Sequence, residues 1–147
     1  IFYHDNGQLY GKGSYKNGKK EGEWVWYNRS GQFKKKGSYK NGKEEGEFVY
    51  YHDNGQLFEK GSFKNGKEEG KWVEYFPDGQ LSANGSFKSG KQEGKFISYR
   101  DNGKLGSKGS YKNGKEEGDW VSYNKDGTVN RYLSGTYKNG EKVSEKK

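Results

Sequence analysis

The stretch Gly13-Ser14-Tyr15-Lys16-Asn17-Gly18-Lys19-Lys20-Glu21-Gly22-Glu23-Trp24-Val25-Trp26-Tyr27 reads as two short strands around a tight turn. Asn-Gly tolerates the positive φ angles that a two-residue hairpin turn requires. The flanking segments combine aromatic residues and valine with glycine, which suits strands and is too glycine-rich for a helix. The stretch then returns: Gly-Ser-aromatic recurs at Gly37-Ser38-Tyr39, Gly61-Ser62-Phe63, Gly85-Ser86-Phe87 and Gly109-Ser110-Tyr111, a fixed period of 24 residues. The same period carries Trp24, Phe48, Trp72, Phe96 and Trp120, then Val25, Val49, Val73, Ile97 and Val121. Self-similarity at this length means tandem repeats.

A second turn follows about half a period later, as Asp5-Asn6-Gly7, Arg29-Ser30-Gly31, Asp53-Asn54-Gly55, Pro77-Asp78-Gly79, Asp101-Asn102-Gly103 and Lys125-Asp126-Gly127. Two turns per repeat leave two strands, so the expected fold is all-β, an elongated single antiparallel meander of hairpins. Neighbouring strands lie about 4.8 Å apart, so five to six hairpins span roughly 50–60 Å. A two-residue turn at Asn17-Gly18 would set Gly13 opposite Gly22, with Tyr15 and Trp24 sharing a face over the glycines. The glycine of the second turn could form a bulge and shift side-chain parity.

Residues 1–147 read as one repeat domain: 1–12 form a truncated first unit, repeats start near 13, 37, 61, 85 and 109, and 128–147 form an atypical cap and polar tail. Ile1-Phe2-Tyr3 falls in register with Val25-Trp26-Tyr27, which suggests a fragment cut from a longer array.

Composition supports a thin object. Apolar residues make up only 27% of the chain and charged residues 33%, poor material for a round core, yet 17% are Phe, Trp or Tyr, which argues against disorder. Each ring can remove roughly 150–250 Å² from water, so aromatic burial can replace an aliphatic interior. There is no cysteine, which excludes disulfides and thiolate chemistry, and no apolar run is long enough to span a membrane as a helix.

These glycines, rings and spacings resemble the MORN repeat family. The likeness is closer to its bacterial variant, with units of the form Tyr-x-x-x-Gly-x-Leu-x-x-x-Gly-x-Tyr-x-x-Gly-x-x-x-Gly-x-Trp, which includes YwqK-type antitoxin-like proteins. The resemblance implies a hairpin-repeat fold, protein–protein contacts, scaffolding and dimerisation, association with anionic phospholipid, and no shared catalytic residues. The absence of cysteine and the settings of such arrays favour a secreted or cell-surface location.

No chemistry-bearing constellation emerges from the residues. His4 and His52 sit in two copies of His-Asp-Asn-Gly that four sibling turns lack, and lie about 20 Å apart by strand spacing, which suits solvated turns better than a metal pair. Glu44-Glu45, Glu68-Glu69 and Glu116-Glu117 are adjacent on strands and point to opposite faces, so cross-strand pairing with lysines of the same hairpin is their expected role. The chain is therefore expected to be non-enzymatic, with no catalytic, cofactor or metal residues. The net charge of +8 is interleaved with glutamate except at Lys34-Lys35-Lys36 and Lys146-Lys147, an arrangement that does not mark a specific nucleic-acid binder.

Function is best sought where the repeats disagree. The residue before the recurring Tyr is Trp26, Tyr50, Glu74, Ser98 and Ser122 in turn, and the residue after the recurring Leu or Phe is Tyr10, Lys34, Phe58, Ser82 and Gly106. A position that accepts Ser or Glu elsewhere is expected to be exposed. Tyr10, Trp26, Tyr50 and Phe58 are therefore the candidate partner-binding residues. The expected function is an interaction scaffold for a protein partner, with homo-oligomers through an open sheet edge. Glycan or cell-wall binding, or attachment to an anionic lipid surface through the repeat face, is the alternative.

Overall fold

A computed structural model describes residues 1–145. The basic Lys146-Lys147 end noted above lies outside the described residues. The strands run β1 (Phe2–Tyr3), β2 (Leu9–Lys16), β3 (Lys19–Tyr27), β4 (Phe33–Lys40), β5 (Lys43–Tyr51), β6 (Leu57–Lys64) and β7 (Lys67–Tyr75). They continue as β8 (Leu81–Lys88), β9 (Lys91–Gln92), β10 (Gly94–Tyr99), β11 (Leu105–Lys112), β12 (Lys115–Ser122), β13 (Gly135–Lys138) and β14 (Glu141–Glu145). They form one 14-stranded antiparallel sheet in sequence order, a meander with β9 and β10 both laid against β8. The fold is all-β, as the period implies.

Each repeat opens on its Asn-Gly turn. Asn17 and Gly18 have φ of 51° and 72°, and Ser89-Gly90 adopts the same pair of left-handed angles at 50° and 81°. Two positive φ values in succession match the right-handed twist of the flanking strands.

The register beyond the turn differs from the simple hairpin. Ser14 pairs with Glu21, but Lys12 pairs with Val25, so β3 carries two extra residues where Gly22 bends at φ 71°. Gly13 therefore does not face Gly22; it lies beneath the ring of Trp24, where an added Cβ would stand 2.2 Å from the indole. Two is an even number, so parity survives, and Tyr15 and Trp24 still share a face with ring centroids 5.1 Å apart.

A second irregularity follows the other turn. Trp26 pairs with Lys35 and Tyr27 with Phe33, leaving Lys34 as a one-residue bulge; Tyr10, Phe58, Ser82 and Gly106 are its counterparts. Here the expected parity shift is real, and it falls on the residue after the recurring Leu or Phe, away from the turn glycine.

The core is a line across the sheet. Trp24, Phe48, Trp72, Phe96 and Trp120 alternate with Gly37, Gly61, Gly85, Gly109 and Gly135 as cross-strand neighbours. Rings from the next line wedge between them edge-on: Tyr39 lies 5.5 Å from Phe48, Phe63 lies 5.0 Å from Phe48 and 5.2 Å from Trp72, and Tyr111 lies 4.9 Å from Trp120. Trp24 and Phe48 are fully buried, and Trp72 and Trp120 nearly so. Tyr27, Tyr51 and Tyr75 are half-buried on the opposite face, beside a line that alternates Lys12, Val25, Lys36, Val49, Lys60 and Val73. At the C-terminal end, buried Ser134 ties the irregular segment to Ser122 through hydrogen bonds at 2.9 and 3.2 Å.

The polar latches are also periodic. Glu21, Glu45, Glu69, Glu93 and Glu117 each accept, at 2.8–2.9 Å, the backbone N–H of the Asn or Ser that opens the next repeat's turn. These glutamates thus do not pair with lysines of their own hairpin as expected, because the register sets Glu45 opposite Ser38 and Glu44 opposite Tyr39. His4 bonds the Tyr27 carbonyl at 3.1 Å and His52 the Tyr75 carbonyl at 2.8 Å, so both are structural ties between repeats. Arg100 donates in the same way to the Tyr123 carbonyl.

Candidate functional site: a groove of rings and lysines

The two irregularities create a hollow that a regular sheet would lack. On the ring face, the line beside the buried core runs Gly11, Trp26, Lys35, Tyr50, Glu59, Glu74, Ala83, Ser98, Ser107 and Ser122 as successive cross-strand partners. Large side chains fill its N-terminal part and small ones its C-terminal part. The bulge residues Tyr10, Lys34 and Phe58 lean onto the same face and close the sides of a groove of about 460 Å³ around Trp26, Tyr50 and Lys35.

All four candidate residues, Tyr10, Trp26, Tyr50 and Phe58, therefore line one groove. Tyr10 is exposed, as expected, at 43%, whereas Phe58 is half-buried and Trp26 and Tyr50 are half-buried against the Trp24, Tyr39 and Phe48 core. Phe58 packs on His52 with centroids 4.8 Å apart, and Tyr10 meets His4 edge-on at 5.0 Å. His4 and His52 thus each buttress a wall of the groove.

Lysines complete the site. Lys20 Nζ lies 4.8, 5.0 and 4.9 Å from the ring centres of Trp24, Trp26 and Tyr39. Lys35 Nζ lies 5.1, 4.9 and 5.2 Å from those of Trp26, Phe48 and Tyr50. An ammonium over ring faces gains roughly 0.5–2 kcal/mol, more as water is excluded. Burial lowers the Lys35 pKa below its usual 10.5, with Glu44 opposing and Lys20 adding to the shift.

Reading the repeats as copies left Lys20 unmarked and Lys35 only a member of the basic Lys34-Lys35-Lys36 run, although a signal for Lys20 was present. Lys20 stands where the other repeats have Glu44, Glu68, Gln92 and Glu116, and so reverses or adds charge at one site only. Lys35 was hidden because its place in the Trp26–Tyr50 line depends on the bulge at Lys34.

The groove's polar groups are donors rather than proton shuttles at neutral pH. Burial and then nearby glutamates push the Tyr39 and Tyr50 hydroxyls up to about 12, far from the range useful for acid–base work. Beyond Tyr50 the charge changes sign: Glu59 and Glu74 face each other directly, and burial followed by Glu74 and Glu68 raises the Glu59 pKa. Another hollow, of about 520 Å³, lies on the opposite face between Ile97 and Val121, and most of its walls are residues that every repeat supplies.

Among solved structures, that of TarM is similar to this chain over 73% of its length, at 12% identity and a TM-score of 0.41, and the chain spans 21% of that one. No curated protein matches the sequence. The profile of the MORN repeat variant matches residues 1–17, 20–41, 44–65, 68–89 and 92–113, which are successive hairpin units of the sheet just described. The chain belongs to the MORN repeat variant family.

Proposed function

We propose that this chain is a non-enzymatic scaffold whose N-terminal repeats bind a protein partner in the groove on the ring face. One observation carries the reading: Tyr10, Trp26, Tyr50 and Phe58, each at a position that varies between repeats, line a single hollow although they come from four different strands or bulges. Well-packed Trp and Tyr side chains are among those that most often dominate binding energy at protein interfaces.

The test is capture of partner from a native extract by the immobilised chain, against the Trp26→Ser, Tyr50→Ser double variant. The variant should retain its sheet by circular dichroism and lose capture by tenfold or more, about 1.4 kcal/mol. Equal capture by a folded double variant would remove the groove from the function.

A second reading, attachment to an anionic lipid surface, rests on Lys12, Lys36, Lys60 and Lys108, which recur on the opposite face at a common register. It requires binding to phosphatidylserine vesicles that collapses as salt rises and is insensitive to the groove variant.

A further inference from the structure

Which partner chemistry the groove selects follows from how charge is distributed along it. From β3 to β7 the line reads Trp26, Lys35, Tyr50, Glu59, Glu74, with Lys20 and Lys34 beside its start and Glu68 beside its end. Neither end is closed by an ion pair: the one such contact among the described residues is Arg29–Asp5 at 3.0 Å, elsewhere on the surface, and Glu44 acts on Lys35 only from beyond ion-pair distance. Three lysines and a like-charged glutamate pair therefore stand on one face without an ion-pair contact, separated by rings. Such a placement is unfavourable for the free chain and complementary to a ligand of opposite polarity.

The spacing sets the ligand's dimensions. Lys35 on β4 and Glu59 on β6 are two strand spacings apart, about 10 Å, which an extended peptide covers in about three residues. We propose that the groove, together with the Glu59–Glu74 stretch of the same line beyond it, takes an extended peptide segment laid across β3 to β7. An Asp or Glu meets Lys20 and Lys35, apolar side chains rest on Trp26 and Tyr50, and a Lys or Arg about three residues away meets Glu59 and Glu74. An anionic lipid surface or a free phosphate fits this face poorly, because it would press negative charge against the Glu59–Glu74 end. The inference rests on the protein-binding reading above and adds the partner's charge pattern to it.

Fluorescence anisotropy with four labelled synthetic peptides separates these cases. The parent is Gly-Ser-Glu-Phe-Ile-Lys-Ser-Gly; the others carry two Glu, two Lys or two Gln at the charged positions. The parent should bind at least about tenfold more tightly than the other three at low salt. Glu59→Lys, checked for an intact fold by circular dichroism, should make the two-Glu peptide the tightest ligand. Tightest binding of the two-Glu peptide to the unaltered chain, or groove-dependent binding of phosphatidylserine vesicles, would overturn the proposal in favour of a simple anion site. Equal binding of all four, lost in the Trp26→Ser, Tyr50→Ser variant, would overturn the charge pattern while leaving the groove as a protein-binding surface. No binding by any peptide overturns the inference, with extract capture left to judge the broader reading.

Discussion

Gly37 shows most directly how one residue holds this sheet together. An added Cβ there would lie 2.3 Å from the Phe48 ring, and that ring is completely buried with no room to retreat. At Gly85 the same addition would meet Phe96 at 3.1 Å, a contact that a slight ring shift relieves. Gly37→Ala should therefore cost about 2–3 kcal/mol and Gly85→Ala about 1 kcal/mol, compared by urea denaturation. Glu59 supplies a second prediction. Burial and Glu74 raise its pKa above the ordinary 4.5, so the folded chain holds that proton more tightly than the unfolded chain. The resulting stability is fully present below that ordinary value and is lost as pH rises through the folded pKa. Glu59→Gln should raise the melting temperature by about 1–3 °C at neutral pH, the half-exposed site limiting the gain, and the advantage should vanish in acid below 4.5. The need for glycine beside the rings was legible in the sequence, but the partner of Gly13 was not. A two-residue insertion leaves the alternation of faces unchanged and so leaves no trace in the pattern.

Hairpins were the most legible elements, because Asn-Gly turns and 24-residue spacing state them outright. The one-residue bulges were harder to place. They fall at Tyr10, Lys34, Phe58, Ser82 and Gly106, residues of such different chemistry that no local propensity marks them, although that very variability marked the surface. The glutamate latch escaped notice for another reason: its acceptor reaches the following repeat, whereas cross-strand reasoning looks within one hairpin. Glu45 bonds the Asn65 N–H at 2.8 Å, and Gly66 N bonds the Glu44 carbonyl at 2.9 Å beside it. Glu45→Ala should cost about 1 kcal/mol, and Glu45→Gln, which keeps an acceptor oxygen, should cost less than half of that when both are measured by thermal melting. A loss of similar size in both would assign the effect to charge rather than to the hydrogen bond.

At the scale of the molecule, strands pair along the chain in order, with β9 and β10 sharing β8, so stability accrues unit by unit rather than from a central mass. The rings are distributed unevenly along that line. On the line beside the core, Trp26 and Tyr50 fill the N-terminal units, while Ser98, Ser107 and Ser122 occupy it further on. Variants that retain only Trp24 or only Trp120 should unfold in urea with separate fluorescence midpoints, that of Trp120 the lower. Coincident midpoints would show that the sheet melts as one unit despite its shape.

The ties between repeats give the array a grain coarser than its period. Donor side chains occupy alternate second turns, as His4 with Asn6, His52 with Asn54 and Arg100 with Asn102, and each set reaches carbonyls of the intervening turn. Trp and Phe alternate on the same beat at positions 24, 48, 72, 96 and 120. The interchangeable module is thus a pair of hairpins. Splicing out 48 residues preserves that alternation, whereas splicing out 24 sets two corners of the same kind side by side.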